Sequence, residues 1–209
     1  MVAAAAAAFV VFGADPQPPA QVGGKAPEFE LFGVDYHYHS LAKYKGAKAV
    51  VLVFTCNHCP VAQAYEDKLI EIANEYQPQG IQFIAINPNA ADMQPADGFP
   101  EMIQRAKEKE FPYPYVYDET QKTAVAYGAK VTPHIFVVAP DGTIVYEGGV
   151  DNRQREPNYL EDALDAILAG EEIATPEAAY FGCSVKYRPE AAKELREKEA
   201  AEEAAESGN

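Results

Sequence analysis

This 209-residue chain has no tryptophan and only three cysteines. Three are too few for a disulfide scaffold, so any chemistry they carry depends on where they stand. Positive charge is scarce as well: 17 Lys and Arg face 32 Asp and Glu, a formal net charge of −15 with a pI near 4.6. A field of that sign repels phosphates and argues against nucleic acid or an anionic membrane surface as a partner. No phosphate loop, Gly-rich dinucleotide motif or internal repeat is present, so no cofactor is expected. What remains is ordinary for a globular protein: 48% of residues are hydrophobic and 23% charged, too apolar for a disordered chain. The length suits one domain with tails, or two small domains.

Both ends read as tails. Residues 1–14 are apolar and give way to Asp15-Pro16-Gln17-Pro18-Pro19. The run is shorter than the roughly 20 residues needed to cross a bilayer, and fits a secretory core of about 7–15 residues. No basic residue precedes it, the first being Lys25. Two readings stay open: a leader, which would make the protein periplasmic or secreted, and an alanine tract in a cytoplasmic one. Membrane contact is expected at most through an uncleaved leader. Residues 189–209 are rich in Ala, Glu and Lys, with Leu195 as the one large apolar side chain. That composition favours a solvated, fraying helix without an apolar stripe to dock.

Between the tails, residues 22–170 alternate in pattern. Ala49–Phe54 is a continuous β-branched run expected as a strand buried on both faces. Residues 61–76 carry apolar side chains at helical spacing, and 81–86 form a second buried strand ended by Asn87-Pro88-Asn89. A helix over 99–109, a short strand over 114–117 and a helix over 119–127 follow. Two further strands, 134–138 and 143–147, flank Asp141-Gly142, a strong hairpin signal. A helix over 159–168 stops at Gly170, and residues 171–188 form an extension containing Cys183. Alternating βα units ending in a hairpin imply an α/β fold, a central mixed sheet with helices on both faces. Tyr36-His37-Tyr38-His39 alternates like a strand with both histidines on one face, a surface ladder rather than a ligand set. Glu161, Asp162 and Asp165 read as the solvent face of the last domain helix.

The chemistry concentrates where the first buried strand runs into Phe54-Thr55-Cys56-Asn57-His58-Cys59-Pro60. A zinc site would need a second ligand pair, and the remaining cysteine is the lone Cys183. Two cysteines bracketing polar residues at a strand-to-helix turn read instead as a redox dithiol. If Asn57 caps the helix, Cys56 sits at its positive end, where free N–H groups favour a thiolate. His58, when protonated, would add to that effect. A stabilised reduced form would move the pair from about −270 mV toward about −180 mV or above.

Residues from about 22 to 170 resemble the thioredoxin-like superfamily, most closely its redoxin branch of alkyl hydroperoxide reductase/thiol-specific antioxidant type. Ala26-Pro27-Glu28-Phe29-Glu30-Leu31 resembles that branch's leading strand, and Phe54 to Pro60 its active-site turn. Val131-Thr132-Pro133-His134 resembles the loop with a cis-proline facing the dithiol. The run from Phe181 to Tyr187 resembles the tail of a peroxiredoxin-like subgroup that carries C-x-x-C. The resemblance implies catalytic Cys56, Cys59 and His58, and an edge at Thr132 and Pro133 on which an extended substrate lies. It implies partners that are protein or small-molecule thiols and disulfides, and peroxides in a peroxidase. Departures are equally plain. Thr55 replaces the Trp of thioredoxins, and nothing acidic stands between Lys48 and Cys56, where they carry a buried carboxylate. Glu66 or water is a conceivable substitute. The P-x-x-x-T-x-x-C pattern of peroxiredoxins is missing. Disulfide exchange through Cys56 and Cys59 is thus the leading expectation, thiol peroxidase chemistry the alternative, and a copper module with Cys56, Cys59 and His134 a third. Cys183 is left open between a packed small hydrophobe and a resolving thiol.

Overall fold

The computed structural model describes residues 18–153 and 157–207, so the apolar stretch 1–14 lies outside the described residues. Its strands and helices follow the chain as β1 (Leu31–Gly33), β2 (Tyr38–His39), β3 (Ala49–Phe54), α1 (Pro60–Tyr76), β4 (Ile81–Asn87), α2 (Phe99–Glu108), β5 (Tyr115–Tyr117), α3 (Lys122–Tyr127), β6 (Val131–Thr132), β7 (His134–Val138), β8 (Ile144–Gly148), α4 (Tyr159–Ala169), β9 (Cys183–Ser184) and α5 (Pro189–Ser207). Seven strands form one mixed sheet in the order β2-β1-β5-β4-β3-β7-β8, and β6 pairs separately with β9. The β3–β4 and β4–β5 pairs are parallel, and β7 runs antiparallel to both β3 and β8.

The continuous apolar runs explain why β3, β4 and β7 occupy the centre. Side chains alternate across a strand, so Val51, Val53, Phe83, Ala85, Ile135 and Val137 enter one core with Leu69, Ile72, Leu160 and Leu164 from α1 and α4. Leu52, Phe54, Ile84, Ile86 and Phe136 enter the other with Ala124 and Tyr127 from α3. Both faces are covered, as the sequence pattern led us to expect. The Asp141-Gly142 turn closes the β7–β8 hairpin: Gly142 takes φ 83°, and the Asp141 carboxylate accepts the Thr143 N–H at 2.9 Å.

Several local expectations give way to tertiary contacts. The helix expected from residue 119 starts at Lys122, because Gln121 sits in the left-handed region at φ 63° and the Asp118 carboxylate takes the Ala124 N–H at 2.8 Å. The expected leading strand forms no regular element over residues 26–30 and pairs as a strand only from Leu31. Tyr36 turns the chain at φ 62°, so the two histidines do not share a face: His39 is buried and His37 exposed, and both reach Asp35. The extension does not trail away. Its Ala178 N–H bonds the Glu147 carbonyl at 2.9 Å, and β9 then lies antiparallel to β6. The acidic tail also docks, contrary to its expected solvation. Leu195 of α5 is buried, and Lys130 pairs with Glu199 at 3.1 Å.

Candidate active site

The end of β3 delivers Cys56 into the turn before α1. Pro60 starts that helix without wasting a donor, and the residue that caps it is Cys59, not Asn57: the Cys59 sulfur accepts the Ala62 N–H at 3.4 Å. Asn57 instead holds the turn, its Nδ2 donating to the Ala96 carbonyl at 2.9 Å and its Oδ1 accepting the Tyr115 hydroxyl at 3.0 Å. Both cysteines are unbridged thiols, 2% and 0% exposed. They meet at Thr132. Its hydroxyl lies 3.1 Å from the Cys56 sulfur, and its carbonyl accepts the Cys59 S–H at 3.2 Å. The Thr132–Pro133 peptide is cis, as the resemblance implied. The backbone edge expected to receive substrate there is occupied, because β9 lies along it with Cys183 opposite Thr132.

A residue that the sequence did not single out organises the turn. Asp97, fully buried in a one-turn helix over Pro95–Asp97, accepts the Asn57 and His58 N–H groups on Oδ1 at 2.7 and 3.0 Å. Its Oδ2 accepts His58 Nδ1 at 2.5 Å and Asn89 Nδ2 at 2.7 Å. His58 is thereby aimed, with Nδ1 3.5 Å from the Cys56 sulfur. Asn89 is held in turn by the Lys186 N–H at 2.7 Å, and Asn87 Nδ2 bonds the Asp97 carbonyl at 2.8 Å. Glu66, the substitute carboxylate considered from the sequence, is committed elsewhere. Arg105 grips it in a fork at 2.8 and 2.5 Å, with Lys109 at 3.6 Å. Asp97 is forty-one residues from Cys56 and carries no local motif. The Asn87-Pro88-Asn89 turn, read as a strand end, was the nearest visible signal.

The two thiols are shifted in opposite directions. Cys59 is lowered to about 4, chiefly by the hydrogen bond it receives from Cys56, with Cys183 and the Ala62 N–H assisting against burial. Cys56 is pushed up by that same hydrogen bond, by burial and by the negative charge of Asp97, while Thr132 pulls it down.

The copper arrangement drawn from the sequence does not form. His134 stacks on Phe136 and Tyr180, with ring centroids 4.7 and 4.0 Å away, and burial lowers its imidazole pKa. Among the described residues, the donor atoms that gather within 4.8 Å of one another are those of Cys56, His58 and Asp97.

A mixed sheet that presents a C-x-x-C pair at a helix start, opposite a cis-proline, defines a thioredoxin-like dithiol protein. Residues 22–147 match the AhpC/TSA family, and the chain belongs to that family. It is 29% identical over 126 residues to the thiol-disulfide oxidoreductase ResA of Geobacillus thermodenitrificans, a match covering 59% of this chain and 66% of that relative, just short of two thirds of its length. Against ResA of Halalkalibacterium halodurans it is 26% identical, covering 66% and 74%. The crystal structure of an uncharacterized conserved protein from Geobacillus kaustophilus superposes with a TM-score of 0.76 at 37% identity, over 81% of this chain and 93% of that one.

Proposed function

We propose that this chain is a thiol–disulfide oxidoreductase working through Cys56 and Cys59. The observation that carries the reading is the convergence of two unbridged cysteines on Thr132, with one sulfur capping α1. With Cys59 held as a thiol, the Cys56 thiolate attacks a substrate disulfide. A bond forms from Cys56 to one substrate sulfur, and the other departs as a thiolate that takes the proton from Cys59. The Cys59 thiolate then attacks Cys56, forming Cys56–Cys59 and releasing the second substrate sulfur. Two electrons pass from the dithiol to the substrate, and the reverse sequence oxidises a substrate dithiol. His58 Nδ1 stands 3.5 Å from the Cys56 sulfur, and Asp97 fixes the ring. With the Thr132 edge covered, a groove beside the helix start would receive a substrate segment. It is lined by Pro60, Val61, Tyr65, Lys68 and Phe181.

The partners are protein or small-molecule thiols and disulfides. Cys56→Ser is expected to abolish turnover in a disulfide-reduction assay, and Cys59→Ser to accumulate a mixed disulfide on Cys56. Full activity in Cys56→Ser would end the proposal. Rapid consumption of hydrogen peroxide by the reduced protein, with no disulfide reduction, would replace it with the thiol peroxidase reading. A measured potential near −270 mV would mark a reductant, and one near about −120 mV an oxidant.

A further inference from the structure

We propose that Cys183 is a third redox thiol of this site, one that takes Cys59 over from the Cys56–Cys59 disulfide and carries the oxidised state toward the surface. The inference rests on the dithiol reading above and extends it. Cys183 lies outside the stretch that matches the family, yet the fold brings it back to the dithiol. It stands opposite Thr132, the residue that contacts both other sulfurs. That approach depends on Gly182. A Cβ there would fall 2.1 Å from the Thr132 carbonyl oxygen and 2.7 Å from its carbon, so only a residue without a side chain lets β9 close on β6. Cys183 packs against the Cys56, Cys59 and Ala62 cluster. It is also partly exposed, whereas Cys56 and Cys59 are almost wholly enclosed. Cys183 therefore offers an external thiol a more accessible sulfur than either member of the pair, and exchange rate depends on access to the sulfur attacked.

The step balances without an outside oxidant. The Cys183 thiolate attacks Cys59, a Cys59–Cys183 bond forms, the Cys56–Cys59 bond breaks, and Cys56 leaves as a thiolate that takes up the proton Cys183 gave away. An external thiolate then attacks Cys183 and releases Cys59, and a second one frees Cys183 as the external pair becomes a disulfide. The surroundings time this sequence. In the dithiol state, the hydrogen bond to Cys59, burial and the Cys59 charge all push the Cys183 thiol up. Once Cys59 is in a disulfide it carries no charge, and the Val61 N–H and Lys186 remain to favour the Cys183 thiolate. The third thiol is quiet while the pair is reduced and becomes a nucleophile when the pair is oxidised.

Peptide mapping after oxidation with oxidised glutathione, with free thiols alkylated, separates this proposal from its parent. Cys183→Ser protein, in which the relay is cut, is expected to yield a Cys56–Cys59 linkage, and its absence would remove the dithiol reading itself. Cys56→Ser protein is expected to yield a Cys59–Cys183 linkage. If Cys59 and Cys183 instead carry only separate glutathione adducts, the relay is overturned while the dithiol reading stands. In the second arm, reduced glutathione recycles the oxidised protein. Cys183→Ser and Cys183→Ala should both slow that recycling about tenfold, since the external thiol must then reach an enclosed sulfur. Recycling at the wild-type rate in either folded variant would also overturn it.

Discussion

Asp97→Asn isolates what the buried carboxylate does. Four donors converge on its two oxygens: the Asn57 and His58 N–H groups on Oδ1, and His58 Nδ1 and Asn89 Nδ2 on Oδ2. An amide keeps one accepting oxygen, enough for the two backbone donors. Its NH₂ then faces the other two. His58 can switch tautomer and accept at Nδ1, but Asn89 Nδ2 loses its acceptor in a site that is wholly buried. One orphaned donor costs about 1–3 kcal/mol, and that is the expected loss. Asp97→Ala orphans all four and should lose more, in the range of about 3–5 kcal/mol found when a buried partner is removed. Urea unfolding of the fully reduced protein measures both, with an unchanged slope showing that the unfolded state is not the cause. Amide exchange at Asn57 and His58 supplies the local check: protection should survive in Asn and fall in Ala. If Asp97→Asn unfolds within about 0.5 kcal/mol of wild type, the size of an ordinary surface change, the carboxylate is not the anchor of the turn.

Three further outcomes are expected. Cys59 is held low, so its contribution to folding is present above the unfolded thiol value of about 8.5 and is lost as pH falls through about 4. The stability of reduced protein relative to oxidised protein should accordingly climb between those limits, and a flat difference across pH 4–8 in paired unfolding curves would refute the assignment. Gly182→Ala forces β9 off Thr132 and should cost about 1–3 kcal/mol, or about 2–4 °C in Tm per kcal/mol, and should make Cys59 more open to alkylation. An unaltered Tm would show that the close approach does not matter. Arg105→Ala strips the fork from buried Glu66, with Lys109 left as a weaker partner, and should cost about 2–4 kcal/mol in urea unfolding. A neutral result would mean that Glu66 finds another partner.

The sequence made the central sheet readable because β3, β4 and β7 are buried on both faces and therefore lack any polar interruption. The dithiol was equally visible, since Cys56 and Cys59 stand where a strand turns into a helix. Local reading failed where a distant group decides the outcome. Asn57 has the chemistry of a cap, but the Asp97 carboxylate takes its N–H and the Ala96 carbonyl takes its side chain, so the capping role falls to Cys59. Leu195 alone could not announce a docked helix, because its binding surface is built from α3 and residues near Lys130. Cys183 is legible only once β9 has been placed on β6, a pairing of two residues per strand that leaves no periodic trace.

The bond from the Lys186 N–H to Asn89 also bears on what this protein can lend to another. That contact passes through Asn89 to Asp97, and from Asp97 to the ring beside Cys56. The reactive turn is thus braced from a segment that lies beyond residues 22–147, the part that matches the family. Transplanting those matched residues into a new host would carry both cysteines and the cis-proline but not the brace. The graft would hold a dithiol whose histidine had lost its fixed bearing. In this chain the unit of inheritance and the unit of chemistry have different borders, and the second is the longer.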